Sequence, residues 1–352
     1  MEIICILLTL CLAAANGAND NGKGVATLAG ANVTSYRKAL IWANVSTLVG
    51  ALLSGAVAVR MLKVFSSGIV STKPTPQFTL AVLIGVTGWI VIATLSRLPV
   101  STTHGIVGAL VGAGLLYSPA SVNFPILVGR FVVPLLLSIG VSYTLSATFS
   151  YFFRQLPQCT CIQLAMLETG SVQLPHVALV QGPSAECKAH NSFIAVHINQ
   201  LHWLSSGLVG FGRGLNDSPK IMAIAVTTVG VMGMSNTLFL VLVSLAMFAG
   251  GVAASARIAR RMGDDIVKMD HREGALANFT TSLLVTLGAN LGLPMSTTQV
   301  SSSAIAGVVR TDRSRLKGKT LRDFIIAWIL TPPATGLIAA CSYLVINSSI
   351  AR

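Results

Sequence analysis

Charge is what this 352-residue chain has least of. Only 10% of its residues are Asp, Glu, Lys or Arg, against about a quarter in a soluble domain. That shortage excludes an ordinary cytosolic enzyme, a disordered chain and a nucleic-acid-binding module. Acids are the scarcer sign, 11 Asp+Glu against 24 Lys+Arg, which leaves a net charge of +13. The basic residues come in short bursts between apolar runs, which is how the cytoplasmic loops of membrane proteins are marked. Six cysteines in 352 residues do not make a disulfide framework. The front end also lacks the Lys or Arg of a secretory signal. Residues 3–15 are apolar and close on Ala13, Ala14 and Ala15, but they run straight into a motif that recurs later, so residues 1–35 are read as part of the mature protein. What the chain does have is 53% hydrophobic residues, 32 glycines and a mean hydropathy of +0.74. This is a composition for lipid as the main solvent, where glycine lets helices pack closely.

The sequence is duplicated. Gly17-Ala18-Asn19-Asp20-Asn21-Gly22-Lys23 matches Gly214-Leu215-Asn216-Asp217-Ser218-Pro219-Lys220 at an offset of 197, as G-x-N-D-x-x-K. Leu98-Pro99-Val100-Ser101-Thr102-Thr103-His104 matches Leu293-Pro294-Met295-Ser296-Thr297-Thr298-Gln299 at an offset of 195. Two unrelated patterns in one order at nearly one offset divide the chain into a first repeat, 1–156, a connector, 157–191, and a second repeat, 192–352.

A membrane helix needs about 20 apolar residues. Such runs fall at 3–35, interrupted at the first Asn-Asp, and at 39–59, 78–97, 99–116 and 124–153. In the second half they fall at 192–233, interrupted at the second Asn-Asp, and at 235–256, 273–292, 294–309 and 323–350. Five elements per repeat make the second copy enter from the opposite side. Loop charges agree with this. Arg37 and Lys38 have an uncharged counterpart at Gly233–Ser235, and the uncharged 117–123 has a counterpart holding Arg310, Arg313, Arg315, Lys317, Lys319 and Arg322. The positive-inside rule places 36–38, 257–272 and 310–322 in the cytoplasm, with the connector, and puts both termini outside. The loop 60–77 runs against this, with Arg60, Lys63 and Lys73 on the outer side. Inverted repeats with interrupted helices point to a secondary transporter whose site lies at midplane, between the two halves.

Of the 11 acids, only Asp20 and Asp217 sit inside apolar segments, and they are repeat-related. A carboxylate in lipid costs several kcal/mol and needs a partner or a function. A Gly three positions before each lets the backbone leave the helix, and Asn and Asp are then placed to cap the second half-helix and offer oxygens to Na⁺ or a proton. Lys23 and Lys220 stand three residues further on, on the same face, either drawing in an anion or balancing the acids. Pro99 and Pro294 suit the first turn of a helix, whose start Ser101, Thr102, Thr103 and Ser296, Thr297, Thr298 then line. Hydroxyls and free N–H groups at the positive end of a helix dipole form an anion cradle, and two facing cradles would surround a tetrahedral oxyanion. His104 is read mainly as a packing residue. Cys159-x-Cys161 and Cys187-x-x-His190 have the ligand types of a zinc site but loose spacing, and no metal is expected beyond Na⁺ at Asp20 and Asp217. Gly108 and Gly112, with Gly307 matching Gly112, read as helix-packing glycines.

Paired Gly-x-Asn-Asp with paired Pro-x-Ser-Thr-Thr resembles the inorganic phosphate transporter (PiT) family over nearly the whole chain except the connector. The resemblance implies uptake of inorganic phosphate driven by co-transported Na⁺ or H⁺. It also implies an inverted-repeat fold with the Ser-Thr-Thr segments at hairpin tips, and a homodimer. By matching position, Asn19, Asp20, Asn216 and Asp217 contribute to the ion and substrate site, and the six Ser-Thr-Thr residues hold phosphate. The chain departs from the family at Gly22-Lys23, where Ala-Asn is usual, and at Gln299, which stands where the first copy has His104.

The sequence therefore predicts an all-α integral membrane protein of about ten elements in two inverted repeats, with interrupted helices and Ser-Thr-Thr hairpin segments. It is expected to be a multi-pass protein of the plasma (inner) membrane and a symporter, not an enzyme, with no cofactor and no nucleic-acid partner. The alternatives are a sulfate or other oxyanion permease of the same fold, or an uncoupled anion channel.

Overall fold

Apolar stretches in lipid must satisfy their own backbone groups, and only helices or closed barrels do so. This chain takes the helical solution. The computed structural model describes residues 1–352 apart from 23, 32, 154, 156, 158, 170–171, 183–191, 266–268, 311 and 351–352. The first half comprises α1 (Glu2–Asp20), α2 (Ala26–Gly30), α3 (Tyr36–Val57), α4 (Val59–Lys63), α5 (Pro76–Leu95), α6 (Thr102–Tyr117), α7 (Phe124–Leu127) and α8 (Val133–Phe152). Strands β1 (Cys159–Thr169), β2 (Val172–Gly182) and β3 (Ser192–His197) follow. The second half comprises α9 (Ile198–Val231), α10 (Asn236–Ala254), α11 (Ala256–Asp265), α12 (His271–Leu291), α13 (Thr297–Val308) and α14 (Gly318–Ile350). Among the described residues, six stretches are long and apolar enough to cross a membrane: α1, α3, α5, Phe124–Phe152, α10 and α14. Their outward faces carry large apolar side chains such as Leu52, Leu136, Val252, Ile329 and Leu337, as expected where lipid replaces water. The chain is a helical, multi-pass membrane protein.

Two helical hairpins set the site. α5 runs beside α1 in the same direction, since Cys5 Sγ donates to Pro76 O near their starts and Asn19 reaches Thr94 near their ends. α6 then returns toward the start of α5, where the Tyr117 hydroxyl donates to Lys73 O at 2.8 Å and Val70 bridges Val122. α12 and α13 form the second hairpin. Its base is held by Arg315, just beyond α13, in a bidentate pair with Glu273 at 2.6 and 3.1 Å; this partner carboxylate holds the Arg315 pKa above its ordinary value.

α14 shows how the hairpins are disposed. Its Phe324 and Trp328 pack with Ile305 and Val308 of α13, Thr331 accepts from Trp89 Nε1 of α5, and Tyr343 packs edge-to-face against Tyr117 at the far end of α6. The hairpin bases thus lie at opposite ends of α14 and the tips meet between. With 16 and 12 residues, α6 and α13 are about 24 and 18 Å long, short of the roughly 30 Å hydrocarbon thickness. Neither spans. Each first limb ends on a left-handed residue, Arg97 (φ 59°) and Gly292 (φ 70°), at matching positions in the two halves.

Several expectations are corrected. The first Asn-Asp interrupts its helix as predicted, because α1 stops at Asp20 and α2 starts at Ala26. The second does not, because α9 runs unbroken for 34 residues through Gly214–Lys220, with Pro219 inside it. The motif glycine is used for close packing and not to leave the helix. A Cβ on Gly17 would overlap Met247 O of α10, and one on Gly214 would overlap Thr47 O of α3. Pro99 and Pro294 lie two residues before the N-caps Ser101 and Ser296, outside the first turn. β1 and β2 of the connector and β3 at the start of the second repeat form an antiparallel sheet, in the order β2-β1-β3, which the all-α expectation did not include. Arg60, assigned by sequence to an outer loop, lies in α4 against Gly292 at the second hairpin tip.

Candidate functional site

The two Asn-Asp pairs are buried where the hairpin tips meet α1 and α9. Each Asn side chain fastens one tip. Asn19 Nδ2 donates to Thr94 Oγ1 and Leu98 O, both at 3.0 Å, while its Oδ1 accepts from Val100 N at 3.1 Å. Asn216 Nδ2 donates to Met295 O at 3.0 Å and its Oδ1 accepts from Met295 N at 3.4 Å. A primary amide has both donors and an acceptor, so one residue can lock both sides of a strand-like tip. The Asn residues therefore act as braces between helix and hairpin, and not as the helix caps that spacing alone suggested.

The Ser-Thr-Thr segments start their helices as predicted. Ser101 is the N-cap of α6 and accepts from His104 N, and Ser296 caps α13 and accepts from Gln299 N. The third hydroxyl of each crosses to the other tip. Thr103 Oγ1 donates to Met295 O at 3.2 Å, and Thr298 Oγ1 donates to Val100 O at 3.0 Å. The two helix N-termini, each with positive dipole character and orphan N–H groups, are thus tied together at their tips. Thr102 and Thr297 are also buried there.

Around this junction lies a buried polar cluster. Asn16 Nδ2 donates to Thr102 Oγ1 at 2.8 Å and lies 3.3 Å from both Asp20 Oδ2 and Asp217 Oδ2. Lys220 Nζ reaches Thr103 Oγ1 at 2.7 Å, Met295 O at 3.0 Å and Asp217 Oδ1 at 3.4 Å. Arg213 Nη1 donates to Asn16 Oδ1 at 3.3 Å and lies 4.0 Å from Asp217 Oδ2. Lys220 is fully buried, Arg213 is 1% exposed, and Asp20 and Asp217 are each 2% exposed. Ions so far from water are retained only with partners, and these partner one another.

Sequence reasoning named Asn19, Asp20, Asn216, Asp217, Lys220 and the six hydroxyl residues, and the structure brings them to one junction. It missed Asn16 and Arg213. Acids inside apolar runs stand out because there are only two, Asp20 and Asp217, whereas bases are more numerous and mark the loops. The same search for Lys and Arg finds Arg213 four residues before Asp217, on the same helical face, and the 197-residue offset then gives Asn16. His104 and Gln299 line a different space, a mainly apolar cavity of about 1400 Å³ among α6, α8, α13 and α14. Lys23 lies outside the described residues, as do Cys187 and His190. Cys159 is disulfide-bonded, which removes its thiolate from a zinc site.

Comparison with known proteins agrees with this architecture. The family model described as the phosphate transporter family matches residues 16–339. A Pyrococcus furiosus protein provisionally named a phosphate permease is 28% identical, over 96% of this chain and 94% of that protein. A Mycobacterium tuberculosis protein named "Probable low-affinity inorganic phosphate transporter" is 25% identical over 97% of this chain and 76% of its own length. A solved structure titled "The sodium-dependent phosphate transporter" superposes with a TM-score of 0.76 at 23% identity and covers 98% of each chain, which shows a shared fold. Both recurring motifs and every residue of the buried cluster fall inside the matched region, and the chain belongs to the phosphate transporter family.

Proposed function

We propose that this protein is a symporter that imports inorganic phosphate together with Na⁺ or H⁺. Phosphate is held by Ser101, Thr102, Thr103, Ser296, Thr297 and Thr298, with Asn19 and Asn216 fixing the two tips against the helices that carry the acids. Asp20 and Asp217 take the cation or proton. Lys220, and Lys23 by its matching position, draw the anion in. The observation that carries this reading is the reciprocal tie between the two Ser-Thr-Thr helix starts, Thr103 to Met295 O and Thr298 to Val100 O, directly beside the paired carboxylates. Neutral hydroxyls and N–H groups at helix starts suit an oxyanion. Carboxylates nearby repel it until a cation binds, so each ligand favours the other.

The two halves are read as inverted repeats, which is supported by hairpin bases at opposite ends of α14. Rocking or sliding of one part against the other then exposes the site to each side in turn. The protein is read as a homodimer of the plasma (inner) membrane with both termini outside, an orientation supported by the basic residues at the α12–α13 base. His104 and Gln299 are assigned only a minor role, at the back of the cradle helices.

The test is radiolabelled phosphate uptake into proteoliposomes under a Na⁺ gradient and, separately, a pH gradient, with excess sulfate as competitor. Uptake driven by one gradient, resistant to sulfate and abolished in Asp20→Asn, is expected. Equilibration without gradient dependence overturns coupling in favour of a channel, and blockade by sulfate changes the substrate.

A further inference from the structure

Positions 16 and 213 correspond at the 197-residue offset, and they differ in charge: Asn16 in the first half, Arg213 in the second. Both reach the carboxylates, but to different effect. Asn16 is neutral and bridges Asp20 and Asp217. Arg213 adds a full positive charge on the Oδ2 side of Asp217, while Lys220 already holds Oδ1. A guanidinium does not lose its proton in a protein, so both oxygens of Asp217 face permanent or tethered cations. An incoming cation would have to displace one or sit beside both.

The guanidinium is also incompletely used. Nη1 donates to Asn16, whereas Nε and Nη2 are buried and have no hydrogen-bond partner among the described residues. Unpaired N–H groups on a buried charge are among the most costly features a protein interior can hold. The Nε–Nη2 edge is the planar fork that matches two oxygens of a carboxylate or phosphate. Thr102 of the first cradle lies one residue away in contact, through Asn16.

We propose that Arg213 is a resident cation that takes the place of one co-transported cation at Asp217 and offers its Nε–Nη2 edge to the bound oxyanion. The proposal rests on the symport reading above. It makes phosphate binding depend on no more than one mobile cation, where a site with two open carboxylates would use two.

The experiment is binding of radiolabelled phosphate to the purified full-length protein in nanodiscs. Na⁺ is titrated against choline at fixed pH, and pH is titrated at fixed Na⁺. For whichever cation supports binding, the wild type is expected to give a Hill slope near one. Arg213→Gln is expected to weaken phosphate binding at saturating cation by about tenfold, the scale of one lost charge-assisted pair, and to steepen the slope toward two as Asp217 opens to a second ion. Arg213→Lys, which keeps the charge without the fork, is expected to keep the slope near one and to bind phosphate more weakly. A wild-type slope of two overturns the proposal, and this readout needs no variant. So does Arg213→Gln with wild-type affinity and slope. Failure of the wild type to bind phosphate under any cation condition overturns the symport reading, and this proposal with it.

Discussion

Asn19 makes three hydrogen bonds across the first hairpin tip, to Thr94, Leu98 and Val100. Inter-helical bonds in membrane proteins average about 0.6 kcal/mol each, so Asn19→Ala is expected to lower stability by roughly 2 kcal/mol on that scale. The same change should loosen the Ser-Thr-Thr segment, and thermal unfolding in detergent set beside phosphate affinity measures both. Asp217 plays a different part, since removing its charge strands Lys220 and Arg213 in the interior. Breaking a buried ion pair costs about 3–5 kcal/mol, so Asp217→Asn is expected to be the more destabilising of the two changes. Asp217→Asn with Lys220→Met should recover part of the loss, read from the same melting curves. These side chains were legible in the sequence because acids and Asn-Asp pairs are rare inside apolar runs. Their partners were not, because a hydrogen bond from residue 19 to residue 98 depends on where a hairpin folds back. Arg213 is legible too, as a base inside an apolar run four residues before Asp217.

At the scale of elements, the contacts between helices are made by small residues. On α6, a Cβ at Gly108 would overlap Pro332 O and one at Gly112 would overlap Gly336 O of α14. α13 packs on α8 in the corresponding way, with Gly307 under Tyr143 O. Ser142, Ser146 and Ser150 of α8 donate in succession to Val300 O, Ala304 O and Val308 O, at 2.7, 2.7 and 3.1 Å. Gly112→Ala should therefore push α6 off α14, at the 1–3 kcal/mol typical of overpacking. Gly140→Ala, in α8 where an added Cβ meets nothing within 4 Å, should instead stabilise by about 0.5–1 kcal/mol, the usual gain over glycine in a helix. Opposite shifts of Tm check the pair. Run lengths and the G-x-x-x-G spacing made these elements and their packing glycines readable. The continuity of α9 was not readable, because the same Gly-x-Asn-Asp stands at the end of α1 and inside α9, and its glycine packs closely on a neighbouring helix in both. Apolar patterning also gave no sign of the strands at 159–169, 172–182 and 192–197.

For the whole molecule, the helix pairings exchange between the halves. α1 packs on α10 as α9 packs on α3, α5 on α6 as α12 on α13, and α6 on α14 as α13 on α8. The first and last of these join one half to the other, so neither half encloses the site alone, and the offset of the two motifs was the sequence's record of that duplication. The exchange puts Lys73 at the base of the first hairpin and Lys319 at the base of the second, both exposed and separated by much of the length of α14. Basic residues gather at the second base, where Arg310, Arg315, Lys317, Lys319 and Arg322 lie. The first base has fewer, since Arg60 is withdrawn to a hairpin tip. A bias of that kind orients short loops toward the cytoplasm. Lys73→Cys and Lys319→Cys, introduced singly, should then differ toward a membrane-impermeant maleimide. The first should label in intact cells, and the second only after the membrane is opened. Labelling of both in intact cells would contradict the opposite placement of the hairpin bases across the bilayer. Labelling of Lys319→Cys alone would keep that placement and reverse the orientation, setting the second base outside and the first in the cytoplasm.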